Sequence, residues 1–400
     1  MSKLRFGVLG AWRGEAFAKL IPKNNSADAE IVAICDTMPE RIERAKKEFD
    51  LPDTVKYVET YDELLDCDID VVVLCNFFHE HAKCAIKALE RNISVVSDTT
   101  AAPTLGECVA LCEAAEKSKG KYILAANCPF LYGPMELEKL YNDGSFGRVL
   151  YAEGEYFHPT DPNVAGFDNA KHWRKYLPRT YYNMHDMGTL MSITGTMPKK
   201  VNAKAIFAPD NITDKLENSG DIASVILTEM DNGAIFRTTS CAGFIPMSKW
   251  YRMVCEKGTM ETGRTDINEV TYSYADWTKP EDKELTKTYD ACPPYIIERI
   301  RTAGHGNADK LMMYYIIDCL KGKKEPFFDV YRSVALSAAG ILAWRSVLED
   351  GKEFIIPDFK NKDERKAVEN DYLTPFPDFE NGKDATLPCS SKPYTRPTDE

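Results

Sequence analysis

The chain is 400 residues long, which at roughly 150 residues per domain implies two or three domains. Its 50 Lys and Arg against 62 Asp and Glu give a formal charge of −12. That charge disfavours nucleic acid and anionic membrane surfaces as partners, because both need a positive field. At 44% hydrophobic and 28% charged, the chain can bury sizeable cores, so wholesale disorder is excluded.

The first ~130 residues alternate strand and helix patterns at short spacing, the signature of a parallel α/β sheet. Lys3 to Leu9 reads as a strand and Gly14 to Ile21 as a helix. Ile31 to Cys35 is a second strand, followed by a helix over Pro39 to Phe49. Asp70 to Cys75 is a third strand, Glu80 to Arg91 a helix and Ser94 to Ser97 a strand again. Thr104 to Lys117 reads as a helix, with Glu107 three residues after Thr104 suggesting a capping box. Tyr122 to Ala126 closes the set. Continuous apolar runs, rather than alternating ones, mean strands covered on both faces.

After Asn127 the pattern changes. Met135 to Tyr141 reads as a helix ended by Asn142-Asp-Gly144. Strands then dominate: Val149–Phe157, Val201–Phe207, Ala223–Glu229, Ala234–Cys241, Met253–Cys255 and Glu269–Tyr274. Helices are expected at Tyr182–Ile193, Lys310–Leu320 and Val330–Leu348. The expected fold is an α/β Rossmann domain, a doubly wound parallel sheet, plus an α+β domain with a large, mainly antiparallel open sheet. The expected divisions are 1–127, 128–355 and a surface-wrapping or partly mobile tail over 356–400.

No apolar run approaches the ~20 residues of a membrane span. Met1 to Arg5 runs into the first strand without a signal-peptide pattern. The 12 cysteines include no Cys-x-x-Cys pair and no zinc spacing, so buried reduced thiols in a cytoplasmic protein are expected, and no metal site.

The first strand ends in Gly7-Val-Leu-Gly10-Ala-Trp12-Arg13-Gly14. Such a glycine turn into a helix places a dinucleotide pyrophosphate on the helix N-terminus. Gly10 fits the tight turn, Trp12 stands where a second glycine is usual, and Gly14 is one residue short of the third. Asp36 ends the second strand, where a carboxylate accepts from the ribose hydroxyls and repels a 2′-phosphate. The cofactor read from this pattern is NAD rather than NADP. His79 and His81 follow the third strand, at the carboxyl edge where ligands bind in open α/β sheets.

In these motifs the chain resembles the glucose–fructose oxidoreductase/inositol dehydrogenase family (Gfo/Idh/MocA), along about 350 residues. The glycine turn with Arg13, Val71 to His81, Asn142 to Gly147, the His185 to Gly195 spacing, Gly304 to Asp309 and Asp329-Val-Tyr-Arg332 carry the resemblance. It implies a cofactor set extended by Asn76, Asp98 and Asn127, a catalytic role for His185, and a homodimer or homotetramer. The family's Glu-Lys-Pro falls on Asp98-Thr99-Thr100, so its lysine is Thr99, and its aspartate four residues before the histidine is Tyr181. A Thr hydroxyl has no useful proton affinity near neutral pH.

One branch is closer, the NAD-dependent glycoside hydrolases of α-N-acetylgalactosaminidase type, which also lack that lysine. Asn127-Cys-Pro-Phe-Leu-Tyr-Gly133, Ala152-Glu-Gly-Glu-Tyr-Phe-His158 and Tyr182-Asn-Met-His185 resemble its motifs.

With Thr99 set aside, His185, Tyr182 and Tyr181 are the acid/base candidates. On a helix, Tyr182 and His185 would share a face at i,i+3 spacing. A phenol serves as a base if a nearby cation lowers its pKa. His158, Trp173 and Arg174 are candidate sugar contacts, the Trp–Arg pair from a loop. The expected function is hydride transfer at a ring carbinol, at C3, of a sugar or glycoside. The net reaction is redox-assisted glycoside cleavage with NAD recycled, or plain sugar or polyol dehydrogenation. A non-catalytic NAD- or sugar-binding protein is the alternative from another class.

Overall fold

A computed structural model describes residues 2–25, 27–159, 171–208, 221–243, 247–291 and 307–393. The chain divides into two compact units. The first holds residues 1–127, 298–334 and 365–370, and the second holds 128–297, 335–364 and 371–400. The described residues 307–334 and 365–370 thus belong to the first unit although they follow strands of the second.

The first unit is a six-stranded sheet of order β3-β2-β1-β4-β5-β6. Its strands are β1 (Leu4–Leu9), β2 (Ala29–Cys35), β3 (Lys56–Val58), β4 (Val71–Leu74), β5 (Ser94–Ser97) and β6 (Tyr122–Leu124). All its pairs are parallel. Every residue of β4 is buried, as the unbroken apolar run implies. The order reverses between β1 and β4, the switch point where such sheets bind ligands.

The helices are α1 (Ala11–Asn25), α2 (Pro39–Glu48), α3 (Tyr61–Asp66), α4 (His81–Glu90) and α5 (Leu105–Lys117). The Thr104 hydroxyl caps α5 by accepting from Glu107 N, and it donates to the Glu107 carboxylate. A complete capping box forms instead at α3, between Thr60 and Glu63. Helix α1 starts three residues before the expected Gly14, so Trp12 and Arg13 occupy its first turn.

The second unit opens with a 3-10 turn, Cys128–Phe130, and α6 (Tyr132–Asn142), closed by Gly144 at φ 79°. Its sheet has nine strands in the order β14-β13-β12-β11-β7-β10-β9-β8-β15. They are β7 (Val149–Pro159), β8 (Pro198–Phe207), β9 (Asp221–Met230), β10 (Ile235–Gly243), β11 (Ser248–Cys255), β12 (Gly258–Thr262), β13 (Glu269–Tyr274), β14 (Thr286–Asp290) and β15 (Phe354–Ile355). Only β7 and β10 run parallel among its described pairs.

One expected helix is different. Residues 182–186 are not helical, and α7 spans only Met187–Thr194. Tyr182 instead follows a 3-10 turn, Arg179–Tyr181, with φ −94° and ψ 44°. The polar side chains explain the delay: Asn183 Nδ2 donates to Leu336 O at 3.0 Å, and Asp186 caps α7 by accepting from Met187 N at 2.6 Å. Tyr182 and His185 therefore do not share a helix face.

The remaining helices are α8 (Ala308–Leu320), α9 (Val330–Leu348) and α10 (Lys362–Val368). The C-terminal segment is fastened to the second unit, with Trp344 Nε1 donating to Pro388 O at 2.9 Å and Ser391 N donating to Asp221 at 2.7 Å. The 11 described cysteines are free thiols, and no helix among the described residues is long and apolar enough to cross a membrane.

Candidate active site and cofactor site

In the first unit the candidate cofactor residues gather around the switch point. Gly10 has φ 91°, and a Cβ there would lie 2.4 Å from Cys75 O, at the end of β4. Only glycine permits this approach. A Cβ on Gly14 would lie 2.5 Å from Val8 Cγ1, so Gly14 performs the helix–strand packing of the fingerprint's third glycine. Asp36 is buried, accepting from Ala11 N at 2.8 Å and from Met38 N at 3.0 Å, with Arg41 3.7 Å away. It braces the glycine turn rather than capping α2, whose N-cap is Met38. These residues fit a dinucleotide: the glycine cradle has no room for a side chain, and α1 presents first-turn N–H groups that have no intrahelical acceptor.

Arg13 is the centre of a charged cluster. Its Nε donates to Asp98 at 3.2 Å, and its two Nη atoms form a fork on Asp309 at 2.9 and 3.2 Å. Asn127 Nδ2 also donates to Asp309, at 3.0 Å. Burial would lower the guanidinium's pKa, but Asp98 and Asp309 outweigh it and raise it. His81 is buried, with Nδ1 3.1 Å from Thr100 O and Nε2 3.3 Å from Asn76 O. Burial lowers its pKa, against Asp98 and the facing carbonyls, which raise it. Asn76 donates to Glu80 at 3.1 Å, and His79 stacks on Phe77.

The second unit gathers a different set. Ala152, Gly154, Tyr156 and His158 alternate onto one face of β7, where Tyr251 is paired opposite Gly154 and Lys249 opposite Tyr156. A Cβ on Gly154 would lie 3.2 Å from Asp186 O, so this glycine lets the start of α7 sit on the sheet. His185 stacks on Tyr156 with ring centroids 4.2 Å apart, and Tyr182 lies 5.1 Å from it. His158 lies 5.9 Å from Tyr156. His185 Nδ1 is 3.3 Å from the Cys128 thiol, and its carbonyl accepts from Tyr251 Oη at 2.5 Å. Arg174 stands over the rings of Trp173 at 4.6 Å and Tyr182 at 5.8 Å.

Tyr181 is not in this cluster. It is buried edge-on against Phe376, 5.7 Å away. Trp173 and Arg174 lie in a 3-10 turn, Trp173–Tyr176, and are half-buried rather than exposed in a loop. Asp309 ends the Gly304 to Asp309 motif, and its partnership with Arg13 spans 296 residues. Cys128 and Tyr156 fall within the Asn127 to Gly133 and Ala152 to His158 motifs, whereas Lys249 is brought to the cluster by strand register. His305 lies outside the described residues.

Two outcomes are expected. Asp36→Ala should weaken NAD binding and relax discrimination against NADP in a fluorescence titration; a wild type that binds both equally would refute the assignment. The second concerns Asp186, fully buried and pushed up from 3.8 to about 7 by loss of hydration, against two amide bonds that lower it. The folded chain then keeps a proton that the unfolded chain loses above pH ~4. The contribution of Asp186 to stability should be full below that pH and fall as pH rises to about 7, by at most ~1.4 kcal/mol per pH unit. Asp186→Asn keeps a cap but removes this slope. Urea unfolding across the window should show it, and parallel curves for the two proteins would mean that Asp186 is ionised when folded.

Comparison with known proteins gives these two sites a common frame. Residues 4–126 match the oxidoreductase family with NAD-binding Rossmann fold (Gfo/Idh/MocA), and residues 180–366 match the glycosyl hydrolase 109 C-terminal domain. A glycosyl hydrolase family 109 protein of Porphyromonas gingivalis is 23% identical, over 90% of this chain and 85% of that one. One from Shewanella pealeana is 25% identical over 90% and 86%. In fold, the chain is similar to levoglucosan dehydrogenase in complex with NADH and L-sorbose, with TM-score 0.74 and 18% identity over 90% of this chain and 100% of that one. It is also similar to an Agrobacterium radiobacter oxidoreductase in complex with NAD+, L-tartaric acid and magnesium, with TM-score 0.71 and 13% identity over 89% and 99%. The chain thus carries a Gfo/Idh/MocA NAD-binding domain followed by a glycosyl hydrolase 109 C-terminal domain, the make-up of an NAD-dependent enzyme.

Proposed function

We propose that the enzyme cleaves a glycoside by transient oxidation of a ring carbinol, at C3, with no net consumption of cofactor. The observation that carries this reading is the cluster of His185, Tyr182, Tyr156 and His158 in a chain that has Thr99 at the family's lysine position. Bound NAD supplies a hydride acceptor and, later, the same hydride as donor. Gly10, Trp12, Arg13 and Gly14 with Asp36 would hold its phosphates and ribose, and Asn76, His79, His81, Asp98 and Asn127 would complete that side.

His185 and Tyr182 move protons on the carbinol and at the neighbouring carbon. Once the carbinol is a ketone, the adjacent C–H is acidic enough for a base to remove its proton and expel the leaving group, and water then adds. Arg174 and Trp173 offer a bonding and stacking surface for a sugar ring. The family 109 names of the relatives favour cleavage over plain dehydrogenation. The levoglucosan dehydrogenase fold keeps plain dehydrogenation as the second reading.

His185→Ala and Tyr182→Phe should each cut turnover by ~10²–10⁴-fold and leave NAD binding nearly intact. Thr99→Ala should cost far less. Deuterium at the carbinol carbon should stay in the product, and the neighbouring C–H should exchange with solvent. Label appearing in released NADH would indicate a dehydrogenase, and turnover without exchange would exclude elimination.

The outward face of the second sheet offers a partner surface. Ile206, Leu227 and Ile235 are exposed there. The same face carries the Arg237–Glu153 and Arg252–Glu261 pairs. We assign it to a second copy of the chain in a homodimer or homotetramer. Sedimentation at micromolar concentration should show an oligomer, and Leu227→Arg should shift it toward monomer. A monomeric wild type would overturn this assignment.

A further inference from the structure

We infer that the buried thiol of Cys128 fixes the tautomer of His185, holding the neutral ring in its Nε2–H form. Cys128 opens the 3-10 turn Cys128–Phe130, is 1% exposed, and places Sγ 3.3 Å from His185 Nδ1. A neutral imidazole carries one N–H and one lone pair. The bond made by one nitrogen decides which carries the hydrogen. Burial keeps a thiol protonated. With the thiol protonated and its S–H aimed at the Nδ1 lone pair, the ring hydrogen is left on Nε2.

The ring is not positioned to turn over and exchange its nitrogens. It is stacked on Tyr156 at 4.2 Å with 29° between the planes. Its own carbonyl accepts from Tyr251 Oη at 2.5 Å and from Thr189 Oγ1 at 2.8 Å. Cys128 is thus a positioning residue that acts through His185.

The tautomer also divides the chemistry. With hydrogen on Nε2, His185 meets the substrate as a donor and bonds a carbonyl or alkoxide oxygen. The carbinol O–H proton then goes to the Tyr182 phenolate, which passes it to solvent before taking the proton of the neighbouring carbon. The Tyr182 ring is 5.1 Å from His185 and has the Arg174 guanidinium 5.8 Å from its centre, a cation that favours the phenolate. This division of labour rests on the proposed sugar chemistry, whereas the tautomer itself does not.

The test is long-range proton–nitrogen NMR of the full chain labelled with ¹⁵N-histidine, with His185 identified by the signals lost in His185→Gln. Above the ring's titration, the wild type should show the Nε2–H pattern. Cys128→Ser, which keeps a donor, should retain it. Cys128→Ala should move toward a mixture of tautomers. With a turned-over glycoside, Cys128→Ala should lower kcat, by up to the ~10⁴-fold that a wrong tautomer can cost, with KM little changed and Cys128→Ser restoring part of the rate. A wild-type Nδ1–H pattern, or an alanine variant with the wild-type pattern, would overturn the inference. If Cys128→Ala does not fold, the wild-type pattern alone decides. A protein that cleaves no glycoside would count against the proposed function and leave the NMR result standing.

Discussion

A carboxylate taken out of water must find a cation, find amides or keep its proton, because the loss of hydration costs several kcal/mol otherwise. The two units meet this constraint in different ways. In the first, Asp98 and Asp309 share Arg13, and Asp36 takes two backbone amides with Arg41 nearby. Charge is therefore concentrated where the strand order reverses. In the second, Asp186 is capped by an amide and keeps a raised pKa. The acids on the sheet's other face, Glu153 and Glu155, are paired with Arg237 and Arg264. His185 consequently sits among aromatic rings and a thiol, next to a carboxyl that resists ionisation.

That neutrality matters because Thr99 supplies no amine. In the proposed reaction, proton movement near neutral pH falls to an imidazole or a phenol whose state is set by neighbours. The neighbours come from separated stretches of chain: Cys128 from a 3-10 turn, Tyr156 from β7, Tyr251 and Lys249 from β11. Strand register brings Lys249 opposite Tyr156, with its ammonium 5.7 Å from that ring. A cation therefore stands at the edge of the cluster.

The first sheet was legible because strands buried on both faces are written as unbroken runs such as Val71 to Leu74. The short β3 and α3 carry too few residues for a period to show. Asp36 and the glycine turn were legible because the fingerprint is local in sequence. Asp309 was not, since its role exists only when α8 meets Arg13. The helix expected over Tyr182 to Ile193 failed for a local reason: apolar spacing continued through a segment whose Asn183 and Asp186 take other partners. Tyr182 and His185 still meet, but through a turn, so the pairing was anticipated with the wrong geometry. Nothing in the residues alone separated Tyr181 from Tyr182; the Phe376 contact does.

The glycine turn shows how a fingerprint can shift without losing its physics. Tight turning and close helix packing are both kept, at Gly10 and Gly14, because backbone and Val8 leave no space there. The residue between them is free to vary only if its side chain points away from those two contacts. Trp12 meets that condition: it is 47% exposed and lies beneath Arg44, whose guanidinium is 4.9 Å from its ring. The second glycine of the pattern serves close approach of ligand to backbone, not the fold. A tryptophan at that place leaves the strand–turn–helix intact and changes only what a bound dinucleotide meets, so the departure from the fingerprint belongs to recognition and not to folding.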